Sequence, residues 1–215
     1  MGSQHNQEQN VLDNFNRSGP ALGSNWLGSG PTIASNQLNG DTDATIYWKE
    51  SYGENQWASL KIVQMDGCDE VGISLKAIAN THTNGIVNVR YNACATPNLI
   101  IYTYNPNLNN WSPFNGSNVT ISAGDVISVL VQSNRMVTVY VNGIQKVSDI
   151  LHTENAGFDI ARTGQIGLST SSKHIIVDDF DGGNGDAPNP SSEPTSVPTA
   201  SLSPRVYLPV VGSRQ

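Results

Sequence analysis

Asp125-Val126-Ile127-Ser128-Val129-Leu130-Val131-Gln132-Ser133-Asn134-Arg135-Met136-Val137-Thr138-Val139-Tyr140-Val141-Asn142-Gly143 decides the class of fold. Val126, Ser128 and Leu130 alternate with Ile127, Val129 and Val131, Ser133-Asn134-Arg135 supplies a turn, and a second β-branched run follows before Asn142-Gly143 turns the chain again. Similar short runs recur on both sides: Thr45 to Trp48, Trp57 to Gln64, Val71 to Ala79, Ile86 to Asn92, Leu99 to Tyr104, Val119 to Ser122, Gln165 to Ser169 and Ile175 to Val177. Turn signals such as Asn39-Gly40-Asp41, Asn115-Gly116-Ser117 and Ala123-Gly124-Asp125 separate them, and no helical period competes. Many short strands with regular turns predict an all-β sandwich or barrel.

Composition agrees. Only 13% of the 215 residues are charged and 37% are hydrophobic, while Asn, Ser, Thr and Gly are abundant, a profile of polar strand faces and turns rather than exposed helices. Length and polarity suit one substantial domain. The net charge of -7, with eleven Lys and Arg scattered singly, offers no basic stripe for nucleic acid. No run of about 18 apolar residues predicts a membrane span. The polar start, Met1 to Glu8, has no apolar signal-peptide core, so Met1 to Ser3 reads as an addition to a mature chain whose export signal has been removed.

Cys68 and Cys94 flank the runs Glu70 to Ala79 and Ile86 to Ala93, and a hairpin centred on Asn80 to Gly85 brings the two together. A disulfide there would close a loop worth roughly 3 kcal/mol and imply an oxidising compartment; the alternative is two free thiols.

Asp13-Asn14-Phe15-Asn16-Arg17, Gly23-Ser24-Asn25-Trp26, Gln56-Trp57-Ala58, Gly72-Ile73-Ser74-Leu75-Lys76, Tyr140-Val141-Asn142-Gly143 and Val177-Asp178-Asp179-Phe180 together resemble the bacterial concanavalin A-like lectin/glucanase superfamily, in its laminin G-like jelly-roll branch. The resemblance covers roughly residues 11 to 183. It implies a two-sheet antiparallel jelly-roll sandwich in which the first and last strands lie side by side and Phe15 and Phe180 pack near Trp26. It leaves function open, because lectins, hydrolases, lyases and adhesive modules share this fold.

Hydrolases of that superfamily carry Glu-x-Asp-x-x-Glu on one strand, placing two carboxylates about 5 to 5.5 Å apart for a retaining mechanism. That pattern is missing here. Asp66, Asp69 and Glu70 sit in a turn, and His5, His82, His152 and His174 lie at turns or ends with no nucleophile beside them. No Gly-x-Ser-x-Gly elbow, His-Glu-x-x-His pair or phosphate loop occurs. No catalytic residue is therefore assigned.

Jelly rolls of this type often hold a structural calcium, which needs six to eight oxygens, and pairing of the end strands would gather Asp13, Asp178 and Asp179, with Asp181 nearby; Asp41-Thr42-Asp43 is a second candidate. Ordinary acidic strand ends explain the same residues. Sugar recognition needs aromatic faces beside amides. Trp111, next to Asn110, comes opposite Tyr102 and Tyr104 if the segment folds back as a hairpin, while Tyr52 and Trp57 flank Gly53 to Gln56; cross-strand packing is the plain alternative for each. Asn16, Asn110, Asn115 and Asn118 begin glycosylation sequons.

Residues 184–204 are Pro-, Ser- and Thr-rich, the composition of an extended linker, and residues 205–215 form a short apolar tail, as residues 1–10 form a polar extension. The tail lacks the threonine of a sortase signal. Val206, Tyr207, Leu208, Val210 and Val211 are β-prone enough to add to a sheet edge of a neighbouring molecule. The leading expectation is a non-catalytic, secreted or cell-surface module that binds a glycan or cell-surface partner. A structural or adhesive subunit whose tail docks on its neighbour comes second, and a divergent glycan-cleaving enzyme third.

Overall fold

The computed structural model describes residues 11–185. Fourteen strands run in chain order: β1 (Trp26–Leu27), β2 (Thr32–Ala34), β3 (Gln37–Asn39), β4 (Ala44–Tyr52), β5 (Gln56–Gln64), β6 (Glu70–Ala77), β7 (Ile86–Asn92), β8 (Asn98–Asn105), β9 (Asn110–Asn118), β10 (Val126–Val131), β11 (Met136–Val141), β12 (Ile144–Ile150), β13 (Gly164–Thr170) and β14 (Ile176–Asn184). They form two antiparallel seven-stranded sheets, ordered β1-β4-β13-β6-β7-β8-β9 and β12-β11-β10-β5-β14-β3-β2. The one helical turn among the described residues is Thr153–Ala156.

The core lies between the sheets, and the period-two alternation of side chains builds it. Val71, Ile73 and Leu75 of β6 and Val87, Val89 and Tyr91 of β7 face Ile127, Val129 and Val131 of β10 and Ala58, Leu60 and Ile62 of β5 in one apolar cluster. Each such aliphatic side chain, fully removed from water, contributes about 1.5–3 kcal/mol. The quoted hairpin forms as expected: Ile127 to Val131 pairs with Val141 to Val137, and Asn142-Gly143 turns with positive φ at both residues (49° and 74°).

The chain's two ends close the sandwich. Asp13 and Phe180 exchange backbone hydrogen bonds of 3.0 and 2.9 Å, and Phe15 and Phe180, both fully buried, lie 6.0 and 4.9 Å from the Trp26 ring. Cys68 and Cys94 are joined by a disulfide at the open end of the β6–β7 hairpin, with Cα atoms 4.1 Å apart, where Glu70 pairs with Asn92.

One expectation changes. Val119 to Ser122 is not a strand; the chain pairs earlier, as β9, against β8. Val119 and Ile121 still pack on the core, and the Ile121 backbone N–H donates to the Tyr91 hydroxyl at 3.1 Å. After the turn at Asn142-Gly143, β12 adds one more strand to the hairpin β10–β11 and is a sheet edge. The linker 184–204, the tail 205–215 and residues 1–10 fall, apart from Asn184 and Gly185, outside the described residues.

Candidate glycan-binding face

On the first sheet, the residues that alternate with the core residues point away from the second sheet and form a groove of about 260 Å³. Its floor comes from the central strands β13 and β6. Gly72 is opposite Ser169 and Arg90 in the two ladders, and a Cβ at Gly72 would collide with Ser169 Oγ and meet both amide atoms of Asn88 at 3.0 Å. Glycine is therefore what lets the floor sit this low. Asn88, 2% exposed, is held in place by donating from Nδ2 to Ser74 Oγ at 2.8 Å. Its Oδ1 accepts from Arg90 Nε at 2.7 Å.

One wall is aromatic. Trp111 pairs across the β8–β9 hairpin with Tyr104, and their rings meet edge to face at 5.3 Å. The loop between β6 and β7 folds back so that His82 stacks on Trp111 at 5.6 Å and meets Tyr104 at 4.7 Å. The Arg90 guanidinium lies over Trp111 at 4.2 Å and over Tyr102 at 5.0 Å, a cation–π arrangement that fixes its plane. Burial, and then the nearby Arg90 charge, lowers the His82 pKa, so this imidazole is neutral at pH 7. The opposite wall carries Asp43, Thr45 and Thr170, and Glu70 and Ser171 close one end. Glu70 accepts from Asn92 Nδ2 at 2.7 Å.

Beneath the aromatic wall is a small apolar cluster of Tyr47, Ala77, Ile86 and Tyr104, separate from the main core. The Tyr47 hydroxyl, fully buried, has no hydrogen-bond partner among the described residues, and burial pushes its pKa up to about 12.

The sequence-derived residues divide between faces. Of them Trp111 lines the groove, with Tyr104 packed edge to face on it and Tyr102 under Arg90, while Asn110 Oδ1 accepts from the Trp111 backbone N–H at 2.8 Å. Tyr52 instead belongs to the main core, and Trp57 lies on the second sheet, paired with Leu130 and Gly183. Neither lines the groove. None of Arg90, Asn88, Ser74, His82 and Gly72 was assigned to a binding site from sequence, although Ile86, Asn88 and Arg90 fall on one face of β7 by simple alternation.

At the paired chain ends Asp13 is already saturated. Its carboxylate accepts from Arg17 at 2.7 and 2.9 Å, from Trp26 Nε1 at 2.7 Å and from the Phe15 backbone N–H at 2.7 Å. Asp179 takes a 3.4 Å contact from Lys61, and burial raises the Asp178 pKa. Asp13, Asp178 and Asp179 thus do not converge, and no group of three metal-ligating side chains gathers among the described residues. Asp41 contacts Lys173 at 3.7 Å.

No protein-family model matches the chain, and no curated protein matches it. Solved structures do. The carbohydrate-binding module CBM66 from Bacillus subtilis is similar with a TM-score of 0.54 and 13% identity over 73% of this chain and 92% of that one. The metal-free carbohydrate recognition domain of Emp46p gives a TM-score of 0.57 at 8% identity, covering 83% of this chain and 97% of that one. A beta-agarase A in complex with oligoagarose gives 0.61 at 13% identity, covering 80% and 91%. The chain has the concanavalin A-like jelly-roll fold.

Proposed function

We propose that this protein is a non-catalytic glycan-binding module working outside the cytoplasm, and that its ligand lies in the groove on the outer face of the first sheet. The observation that carries this reading is the groove itself: small residues on the floor, a fixed amide at Asn88, an arginine at Arg90 and an aromatic wall at Trp111. Such a mixture of apolar surface and a few oriented polar groups is what a sugar, with its C–H faces and ring of hydroxyls, needs. Carbohydrate-binding modules and recognition domains among the structural neighbours support the reading.

The binding reading is preferred to catalysis for a reason of strand chemistry. On β6 the groove-facing positions after Glu70 are Gly72 and Ser74, so the strand offers one carboxylate where a retaining hydrolase uses two. The disulfide suits an oxidising compartment, and no helix among the described residues is long and apolar enough to cross a membrane. Structural calcium and docking by the tail form no part of the proposal, since Asp13 is committed to Arg17 and Trp26 and the tail lies outside the described residues.

The test is a glycan array probed with the full chain and with Gly72→Val, which fills the floor of the groove. Wild-type protein is expected to retain a defined set of oligosaccharides that Gly72→Val, checked for cooperative thermal unfolding, binds at least tenfold more weakly. Equal retention by both proteins contradicts this location for the site.

A further inference from the structure

We infer that the groove selects an acidic glycan, with Arg90 receiving an anionic oxygen group, a uronic acid carboxylate or a sulfate ester, on a sugar bound beside Trp111. The inference rests on the glycan-binding reading above and adds the class of sugar.

The guanidinium of Arg90 is held but not used up. Nε donates to Asn88 Oδ1 at 2.7 Å, and the plane is packed against Trp111 and Tyr102. Neither Nη atom has an acceptor among the described residues, and no carboxylate of those residues lies within 4 Å of it. Two other arginines show what a structural role looks like in this fold. Arg17 gives both Nη atoms to Asp13 and a further bond to the Leu22 carbonyl. Arg162 gives Nη1 and Nη2 to the carbonyls of Asn84, Lys76 and Gly85 at 2.9, 2.7 and 2.6 Å. Arg90 alone of these three presents its outer edge to a groove.

Its own neighbourhood offered a partner that it does not take. Glu70 sits diagonally across the β6–β7 ladder, two residues along from Gly72, which pairs with Arg90, within reach of long side chains. Glu70 turns to Asn92 instead, while Arg90 turns the opposite way, to Asn88 and the aromatic wall. The planar, permanently charged fork thus stays free for the bidentate geometry that carboxylate and sulfate oxygens accept. With the neutral form of His82 favoured, Arg90 is, among the described residues, the one permanent cation lining the groove.

The two acids set the direction of the ligand. Asp43, in the turn just before β4, lies at the end of a strand three spacings from β7, about 14 Å, and Glu70 closes one end. Their charges repel an anionic substituent and accept sugar hydroxyls, so an acidic oligosaccharide places its charge at the Trp111 side and hydroxyl-rich rings across the floor.

The experiment is calorimetric titration of the full chain, wild type, Arg90→Gln and Arg90→Lys, with three probes: an oligogalacturonate, the same oligosaccharide after reduction of its carboxyls to alcohols, and a sulfated galactan oligosaccharide. The inference expects wild type to bind one acidic probe or both and to favour it over the neutral one. Arg90→Gln should weaken that binding by about 10- to 100-fold, the range of a hydrogen bond to a charged group, with Arg90→Lys recovering part of it. Whichever acidic probe binds more tightly identifies the carboxylate or the sulfate. Preference for the neutral probe, with Arg90→Gln unchanged, overturns the inference and leaves the glycan reading standing. If no acidic probe binds the wild-type chain, the inference falls, and an empty glycan array for the same protein then removes the glycan reading as well. Matched thermal unfolding of the three proteins excludes misfolding as the cause of any loss.

Discussion

Two side chains show how single residues hold this sandwich. Asp13 closes the fold where the first and last segments pair, accepting the indole N–H of Trp26 inside the cluster of Phe15, Trp48 and Phe180. Asp13→Ala leaves that N–H, 2.7 Å from its acceptor in the native protein, buried with nothing to donate to. The expected cost is about 2 kcal/mol, read from urea unfolding, and Arg17→Ala, which leaves the indole bond in place, costs less. Lys76 is the stranger case. It is completely buried, φ is 66°, and its ammonium donates only to carbonyls, those of Gly53, Glu54 and Arg162. Burial, reinforced by Arg162 and opposed by Glu54 and Asp159, lowers its pKa to about 8. The folded protein therefore holds this proton less tightly than the unfolded chain, whose lysine titrates near pH ~10.4. Stability is expected to rise with pH between about 8 and 10, and the penalty is complete below 8. Above pH 10 the sign reverses, because Tyr47 and Tyr52, pushed up to about 12, keep their protons when the unfolded tyrosines lose theirs. Melting temperatures of wild type and Lys76→Met across pH 7 to 11 check this: the rise between 8 and 10 should vanish in the variant.

At the scale of elements, the β6–β7 hairpin is the scaffold of the groove and the disulfide is its clasp. Cys68→Ser with Cys94→Ser opens a loop with a sequence separation of 26 residues, and the expected loss is about 3 kcal/mol in chemical unfolding. This hairpin was legible from sequence because both strands are β-branched and the turn between them is polar. Trp111 was set opposite Tyr102 and Tyr104 on the condition that its segment folds back as a hairpin, and it pairs with Tyr104. β9 was not legible, since Ser112-Pro113-Phe114-Asn115-Gly116 looks like a loop; as an edge strand it tolerates proline and polar residues that a central strand would reject. Val119 to Ser122 misled for the converse reason: its alternation serves to cover the end of the core rather than to enter a ladder. Alternation likewise tells which residues share a face but not which face is covered, which is why Tyr52 and Trp57 were grouped with Trp111. His82 reaches the site through a loop that folds back, and nothing in its local sequence announces that contact.

For the whole molecule, two stacked sheets leave two outer faces, and function follows from what each presents. The first sheet's face is hollow and chemically mixed, with Gly72, Asn88, Arg90 and Trp111 oriented by their neighbours. On the second, Trp57 and Leu130 lie paired and mostly buried. The net charge of -7 belongs to the chain as a whole, so attraction to an acidic glycan is local to Arg90 and should weaken only modestly with salt. The central claim is that the first sheet's outer face is where a glycan binds. It is tested most directly by an amide and indole resonance titration of isotope-labelled protein with the oligosaccharide it retains on an array. The account predicts shifts concentrated at Gly72, Ser74, Asn88, Arg90, Ser169 and the Trp111 indole; shifts confined to the second sheet around Trp57 and Leu130 would contradict it.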